Sequence, residues 1–242
     1  TAIANARLIE EKRRAERLAA IGEAVASLSH YAKNVLTGIS GSVQMIDEAL
    51  QDHDSQTLEQ TWPILKRCVA RLTHFVGDML AFCKPRVPLK EQSTVEEVVA
   101  EAVEALHSLM ARKKIDIELN LGGVKGPFSL ERPGIFRCLL NLLLNAAEAV
   151  AHEDGRIWVS AWNTPEGALH LEVADNGPGI PEEDVDKVCD PFFSTKGAYG
   201  TGLGLAVTSK IVREHGGQLQ IGRREGGGAT MKIMLPPHVR PE

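Results

Sequence analysis

Aromatic residues make up only 5% of this 242-residue chain, and its four cysteines (Cys68, Cys83, Cys138, Cys189) form no CxxC pair. The first scarcity argues against a base-stacking surface. The second argues against zinc ribbons and redox pairs, and leaves the thiols as small apolar residues in a reducing compartment. There is no long Lys/Arg block, and the net charge is −5. Phosphate backbones demand clustered positive charge, so nucleic acid is not expected as a partner. The richest apolar stretch, Leu139–Leu144, is interrupted by Asn141. It falls far short of the roughly 18 residues that a membrane span needs, so no membrane contact is expected from this segment. No signal peptide, internal repeat or low-complexity tract is present. The chain opens on Thr1 rather than Met, and is therefore read as a cytoplasmic fragment; a tether upstream in the full-length protein is compatible with that. What remains, 43% hydrophobic and 24% charged, is the composition of a globular protein of one or two domains.

The first ninety residues differ in texture from the rest. No proline occurs from Ile3 to about Leu50, and Leu18, Ile21, Val25 and Leu28 step by three, four and three, the seam of a coiled coil. The charged residues Glu10–Arg17 read as a solvated helix face, and residues 1–18 as a coiled-coil helix. Gln51–Ser55 is a polar turn. A second helix is expected from about Thr57 to Phe82, with Leu58, Ile64 or Leu65, Leu72, Phe75, Met79 and Phe82 as its apolar stripe. Pro63 there marks a kink or a late start. The two helices make an antiparallel hairpin over residues 19–84. Alone it buries little, and dimerisation into a four-helix bundle would cover both stripes.

Pro85 and Pro88 make residues 85–92 a stiff linker to a second domain, 93–242. Ser93–Glu97 reads as a capping box opening a helix to about Arg112. Ile115, Ile117, Leu119 and Leu121 alternate as in a half-buried strand. A helix is expected over Pro133–Val150. The strands Arg156–Asn163 and Ala168–Ala174 flank the hairpin signal Thr164–Gly167. A Gly-rich stretch, Asn176–Gly204, leads into a helix ending at Gly216-Gly217, and strands Gln218–Arg223 and Thr230–Leu235 close the chain. The expected class is α+β, a helical hairpin followed by an α/β sandwich with a mixed, mainly antiparallel sheet.

Three segments carry chemistry. Asn141, Asn145 and Glu148 lie at i, i+4 and i+7 on one helix face. Two amides in an otherwise apolar helix cost about 1–3 kcal/mol each if unpaired. They form either a buried amide network with backbone or a site for a Mg²⁺–triphosphate, whose metal takes hard oxygen ligands. Asp175-Asn176-Gly177-Pro178-Gly179-Ile180 follows a strand. It is either a plain turn or a carboxylate that accepts from an exocyclic amine, with Gly177 and Gly179 letting backbone approach a flat base. Gly200–Leu205 runs into a helix whose N-terminus suits phosphate. Its glycines, with Gly197, cost about 0.5–1 kcal/mol each relative to Ala unless the loop must bend closely around something. Neither a Walker loop nor a Rossmann fingerprint is present.

In this order the segments resemble the Bergerat-fold ATP site shared by gyrase, heat-shock chaperone ATPases, MutL and histidine kinases, and sensor histidine kinases above all. Asn141–Ala149 resembles their N box, Asp175–Gly179 the first glycine box, Pro191–Lys196 the F box, Gly200–Leu205 the second glycine box and Gly226–Thr230 the last. The resemblance implies ATP or ADP with Mg²⁺ as ligands. Asn145 would ligate the metal, with Asn141 and Glu148 toward the phosphates. Asp175 would read the adenine amine, with Thr230 nearby. Gly177, Gly179, Lys196, Thr201, Gly202, Leu203 and Gly204 would belong to a mobile ATP lid and its edges. Glu148 stands where many relatives carry Lys or Arg, and Cys189 replaces an aromatic. ATP-hydrolysing branches place a Glu at the position of Asn141. An amide cannot take up that proton, so bound ATP should be kept from water and passed to another nucleophile.

His53, His152, His170 and His238 read as surface or loop residues. His30 sits in Leu28-Ser29-His30-Tyr31-Ala32-Lys33-Asn34-Val35-Leu36, which resembles the kinase H box, with His30, Lys33 and Asn34 as candidate catalytic residues. A neutral imidazole, ordinary pKa about 6.5, has a ring nitrogen free to attack phosphorus. Tyr31 stands where an acidic residue usually follows the phospho-acceptor, and Val35 where many relatives have Pro. Asn34 would orient a water for dephosphorylating a partner. The implied protein is a homodimeric histidine kinase that passes its phosphoryl group to a response-regulator receiver domain. A degenerate ATP-binding scaffold, supported by Tyr31, and a conformational ATPase of the chaperone or MutL type are the alternatives.

Overall fold

A computed structural model of the chain describes residues 28–83, 89, 91–124, 126, 128–150, 154–195 and 200–237. The coiled-coil helix expected over 1–18, the seam residues Leu18, Ile21 and Val25, most of the proline linker, and Lys196 lie outside the described residues. Two compact units emerge. One takes in the described residues up to Leu80 together with Pro191–Leu203; the other comprises Ala81–Asp190 and the chain from Gly204.

The first unit is built on a helical hairpin. Residues 28–51 form its first helix, α1, and Ser55–Cys83 its second, α2. The reversal uses a left-handed residue, His53, at φ 55°, as helix ends commonly do. Asp54 then caps α2: its Oδ1 accepts from the Gln56 and Thr57 amides at 3.1 Å each, and its Oδ2 from the Thr57 hydroxyl at 2.6 Å. The Thr57 hydroxyl and amide hold this carboxyl below its ordinary range. The cap starts α2 well before Pro63, so Pro63 lies inside the helix rather than marking a late start.

Tyr31, Val35, Ser42 and Ala49 on α1 are buried, as are Thr61, Phe75 and Asp78 on α2. Tyr31 packs on Phe75 with ring centroids 5.0 Å apart. At Gly38 a Cβ would stand 2.9 Å from Cys68 Sγ on α2. Of the stripe expected on α2, Leu65 rather than Ile64 is half-buried, and Met79 is exposed. A second set of apolar residues also faces outward at heptad spacing: Leu36, Val43 and Leu50 on α1, and Trp62, Val69 and Val76 on α2. Such spacing is the signature of a helix-packing seam.

The second unit is a two-layer sandwich. Strand β1 (Glu91–Ser93) pairs antiparallel with β3 (Phe128–Leu130); both are too short to show in a periodicity. Helix α3 (Val95–Lys113) follows Thr94, which stands at the N-cap but makes no side-chain capping bond. The capping-box expectation therefore places the helix start without supplying its hydrogen bond. The five-stranded sheet has the order β2-β4-β5-β7-β6, from β2 (Asp116–Gly123), β4 (Arg156–Asn163), β5 (Leu169–Asp175), β6 (Gln218–Arg223) and β7 (Ala229–Leu235). Only β2 and β4 run parallel. Ile157, Val159 and Ala161, Leu169, Leu171 and Val173, and Met231, Ile233 and Leu235 alternate onto one buried face. Against it lie α4 (Arg132–Ala149) and α5 (Gly204–Glu214), with α3 packed on α4. Helix α4 is buried nearly all round, with Ile135, Leu139, Leu142, Leu143 and Ala146 each at most 2% exposed. A helix so enclosed presents its polar residues to the interior.

Candidate ATP-binding and phospho-acceptor sites

Asn141 is the polar exception inside α4. It is buried, and its Nδ2 donates to Gly204 O at 3.1 Å. The Thr208 hydroxyl donates to the same carbonyl at 2.9 Å, so the first turn of α5 is bolted to the middle of α4. That bond fixes which way the amide faces, because only its NH₂ can meet a carbonyl. Asn141 Oδ1 has no hydrogen-bond partner among the described residues. The backbone-network reading of this amide is thus half satisfied, and one oxygen is left over. Asn145 and Glu148 follow on the same face, half-buried and exposed in turn.

Asp175 ends β5. Its Oδ1 accepts from Gly177 N at 2.8 Å and from Ala229 N at 3.3 Å, while Oδ2 has no partner among the described residues. Burial pushes its carboxyl above the ordinary value; the two backbone bonds and Arg224 pull the other way. Close backbone approaches surround it. A Cβ on Gly177 would lie 2.9 Å from Ala149 O, and one on Gly179 (φ 80°) 3.0 Å from Gly228 O. Gly228, at φ 96°, would collide with Asp175 O. Backbone meeting backbone therefore already demands these glycines. Gly228→Ala is expected to destabilise the protein by about 1–3 kcal/mol, from a strained φ and a displaced β7, read as a lower midpoint in thermal unfolding.

Thr230 is a correction. It pairs with Ala174, whereas Asp175 pairs with Ile157 on the core face. Side chains alternate across a strand, so Thr230 points to the opposite face of the sheet from Asp175. The residue that meets the carboxylate is Ala229.

Thr201, Gly202 and Leu203 belong to the first unit. Gly202 (φ 64°) accepts a hydrogen bond on its carbonyl from Phe192 N at 2.9 Å, and Phe192 is itself left-handed at φ 72°. Leu203 is fully buried, and its amide donates to Thr201 Oγ1 at 3.2 Å. In the same unit His30, Lys33 and Asn34 are exposed near the start of α1. His30 Nδ1 lies 3.2 Å from Asn34 Nδ2.

Two residues that matter here were not legible beforehand. Asn176 accepts from Arg156 N at 2.8 Å and donates to Asp154 O at 2.7 Å, pinning the turn that presents Asp175. Buried His215 donates from Nδ1 to Ile211 O at 2.8 Å and accepts on Nε2 from Glu131 N at 3.2 Å, tying the end of α5 to the start of α4. An Asn directly after a strand-ending Asp is a usable signal for the first; nothing local signals the second.

Residues 130–239 match the family of histidine kinase-, DNA gyrase B- and HSP90-like ATPases. The catalytic domain of histidine kinase ThkA, in a nucleotide-free form, is 30% identical; the match covers 95% of that domain and 61% of this chain, with a TM-score of 0.56. The histidine kinase AtoS of Escherichia coli is 32% identical over 92% of this chain. The chain belongs to the sensor histidine kinase family. As a kinase chain it is also similar to the sensor kinase ZraS of Escherichia coli, at 29% identity over 96% of its length. It spans 36% of AtoS and 49% of ZraS, about a third to a half of those proteins. A structure of ThkA in complex with the response regulator TrrA matches 96% of this kinase chain and 66% of ThkA, at 28% identity and a TM-score of 0.72. Among the described residues no helix is long and apolar enough to cross a membrane.

Proposed function

We propose that this kinase binds ATP in its sandwich domain, phosphorylates His30 and passes the phosphoryl group to a receiver-domain aspartate. The observation that carries the reading is that two of the buried polar side chains of that domain are each half committed. Asn141 and Asp175 spend one atom on fixed backbone partners and keep one oxygen without a partner. Oδ2 of Asp175 suits the adenine amine, because a carboxylate in a desolvated site strongly prefers a donor. Asn141 Oδ1 and Asn145 suit the triphosphate end. Asn145 would ligate Mg²⁺, a hard cation that takes few protein oxygens beside substrate phosphates; when bound it would offset charge on those phosphates. Among the described residues no cluster of His, Cys, Asp or Glu could hold a metal by itself, which agrees with a metal carried in with the nucleotide. Asn141 accepts no proton, so it activates no water.

At the acceptor, a ring nitrogen of His30 attacks the γ-phosphorus in line. The bond to the β,γ-bridging oxygen breaks, ADP leaves with that electron pair, and an N–P bond forms; the rest is positioning. Incubation with γ-labelled ATP tests this. Acid-labile, base-stable label that moves to a receiver domain supports it, and continuous phosphate release without protein label overturns it. Tyr31, buried against Phe75, favours one other reading, an ATP-binding scaffold, which would bind nucleotide and take up no label.

The hairpin, assigned to residues 19–84, is proposed to dimerise along Leu36, Val43, Leu50, Trp62, Val69 and Val76, joining two copies in a four-helix bundle. Val69→Glu would place a charge in that seam. It is expected to yield a monomer in sedimentation at micromolar concentration, with helix content unchanged; a wild-type monomer would refute the dimer.

A further inference from the structure

His30 lacks the acidic neighbour that would hold its second ring nitrogen, because position 31 carries a tyrosine and its side chain is turned into the hairpin against Phe75. Among the described residues the ring has a single hydrogen-bond partner, Asn34, one helical turn on, with Nδ2 and Nδ1 3.2 Å apart. Residues at i and i+4 are neighbours on a helix surface, so this contact is built into α1 and needs no other element. We infer that Asn34 is the positioning residue that selects the nucleophilic tautomer of His30, in the place of the missing carboxylate. The inference rests on His30 being the phospho-acceptor.

The chemistry follows from the amide's two ends. In the orientation the structure holds, with its NH₂ toward Nδ1, the amide donates, Nδ1 keeps a lone pair, and the ring proton sits on Nε2, which then cannot attack. A half-turn of the amide brings Oδ1 to the ring instead. It accepts from Nδ1–H, and Nε2 carries the free pair, directed away from Asn34. These two orientations differ only by exchange of the amide's N and O, so one side chain holds the ring in an inert or a reactive form. In the reactive form Nε2 attacks the γ-phosphorus and forms the N–P bond, ADP departs with the bridging electron pair, and the proton on Nδ1 stays hydrogen-bonded to Oδ1 until Nδ1 loses it to solvent. A neutral carbonyl accepts more weakly than a carboxylate, so transfer is slower than an acidic neighbour would allow.

Substitution at Asn34, exposed on α1, tests the idea without threatening the fold. Asn34→Ala is expected to lower the autophosphorylation rate at saturating ATP by roughly 3–10-fold, the worth of one neutral hydrogen bond, with KM for ATP unchanged. Asn34→Asp is expected to restore or exceed the wild-type rate. The ¹⁵N shifts of the His30 ring should report a substantial Nδ1–H tautomer in the wild type that falls in Asn34→Ala. Equal rates in all three proteins, or a tautomer ratio indifferent to Asn34→Ala, would overturn the inference. Label that maps to a residue other than His30 would instead reject the underlying function, and that outcome is read in the wild type alone.

Discussion

Replacing His30 with alanine is expected to abolish incorporation of the γ-phosphoryl group into the protein while leaving ATP binding and folding intact. The loss should be complete, because no neighbour can substitute. Lys33 is an exposed ammonium with no lone pair to offer, an amide such as Asn34 is not a nucleophile toward phosphorus, and Tyr31 is buried. The variant should fold normally, since an exposed side chain with one local hydrogen bond shifts stability by no more than about 0.5 kcal/mol. Its nucleotide affinity should also stand, because Asn141 and Asp175 belong to the other compact unit. Phosphate label measured after denaturing gel separation, beside ATP affinity by calorimetry, checks both halves. Residual label at the wild-type level would remove His30 from the reaction.

Asp175→Asn should separate binding from stability in the opposite sense. The carboxyl of Asp175 is raised by burial, so the folded protein holds that proton more tightly than the unfolded chain does. Its contribution to stability is then fully present below the unfolded carboxylate value, near 3.9, and is lost as pH rises through the higher folded value. At neutral pH the ionised group is carried at a cost. Asparagine removes the charge and can keep Oδ1 on the Gly177 and Ala229 amides, so the melting temperature should hold or rise. ATP affinity should fall roughly 100-fold or more: the charged acceptor is lost, and the new NH₂ meets the adenine amine donor to donor. As pH falls toward the raised value, ATP binding by the wild type should weaken before ordinary carboxylates titrate, and the variant should show no such limb. Unchanged affinity in Asp175→Asn would mean that this carboxylate does not read the base.

Much of this was legible from residue order. The strand Arg156–Asn163 falls where alternation places it, because it has a buried face opposite a wetter one; Gln218–Arg223 falls between the glycines that bound it, half-buried at most. The buried amide of Asn141 and the strand-ending Asp175 stood out because polar groups there need partners. What could not be read has physical causes. Thr230 lies one residue from Ala229, and a one-residue difference in register exchanges the faces of a strand; composition does not say which of the pair turns inward. Periodicity does not choose between Ile64 and Leu65, or turn Met79 outward, because α2 carries two apolar stripes, one buried within the hairpin and one left outside. Strands β1 and β3, three residues each, exist only through each other, and no local pattern can announce a pairing between distant triplets. The Asp54 cap outweighs Pro63 in setting the start of α2, since a proline can be accommodated once the helix is nucleated upstream of it.

The hydrogen bond from Phe192 to Gly202 has an evolutionary corollary. It clamps the two ends of a nine-residue stretch together, so the chain between them begins and finishes at one point regardless of what it contains. For a loop closed in this way, doubling the length adds only about 0.6 kcal/mol of closure entropy. Insertions and deletions between Phe193 and Thr201 should therefore cost little folding stability, so the length of that region is set by its proposed work at the nucleotide through Lys196 and Thr201 and not by the fold.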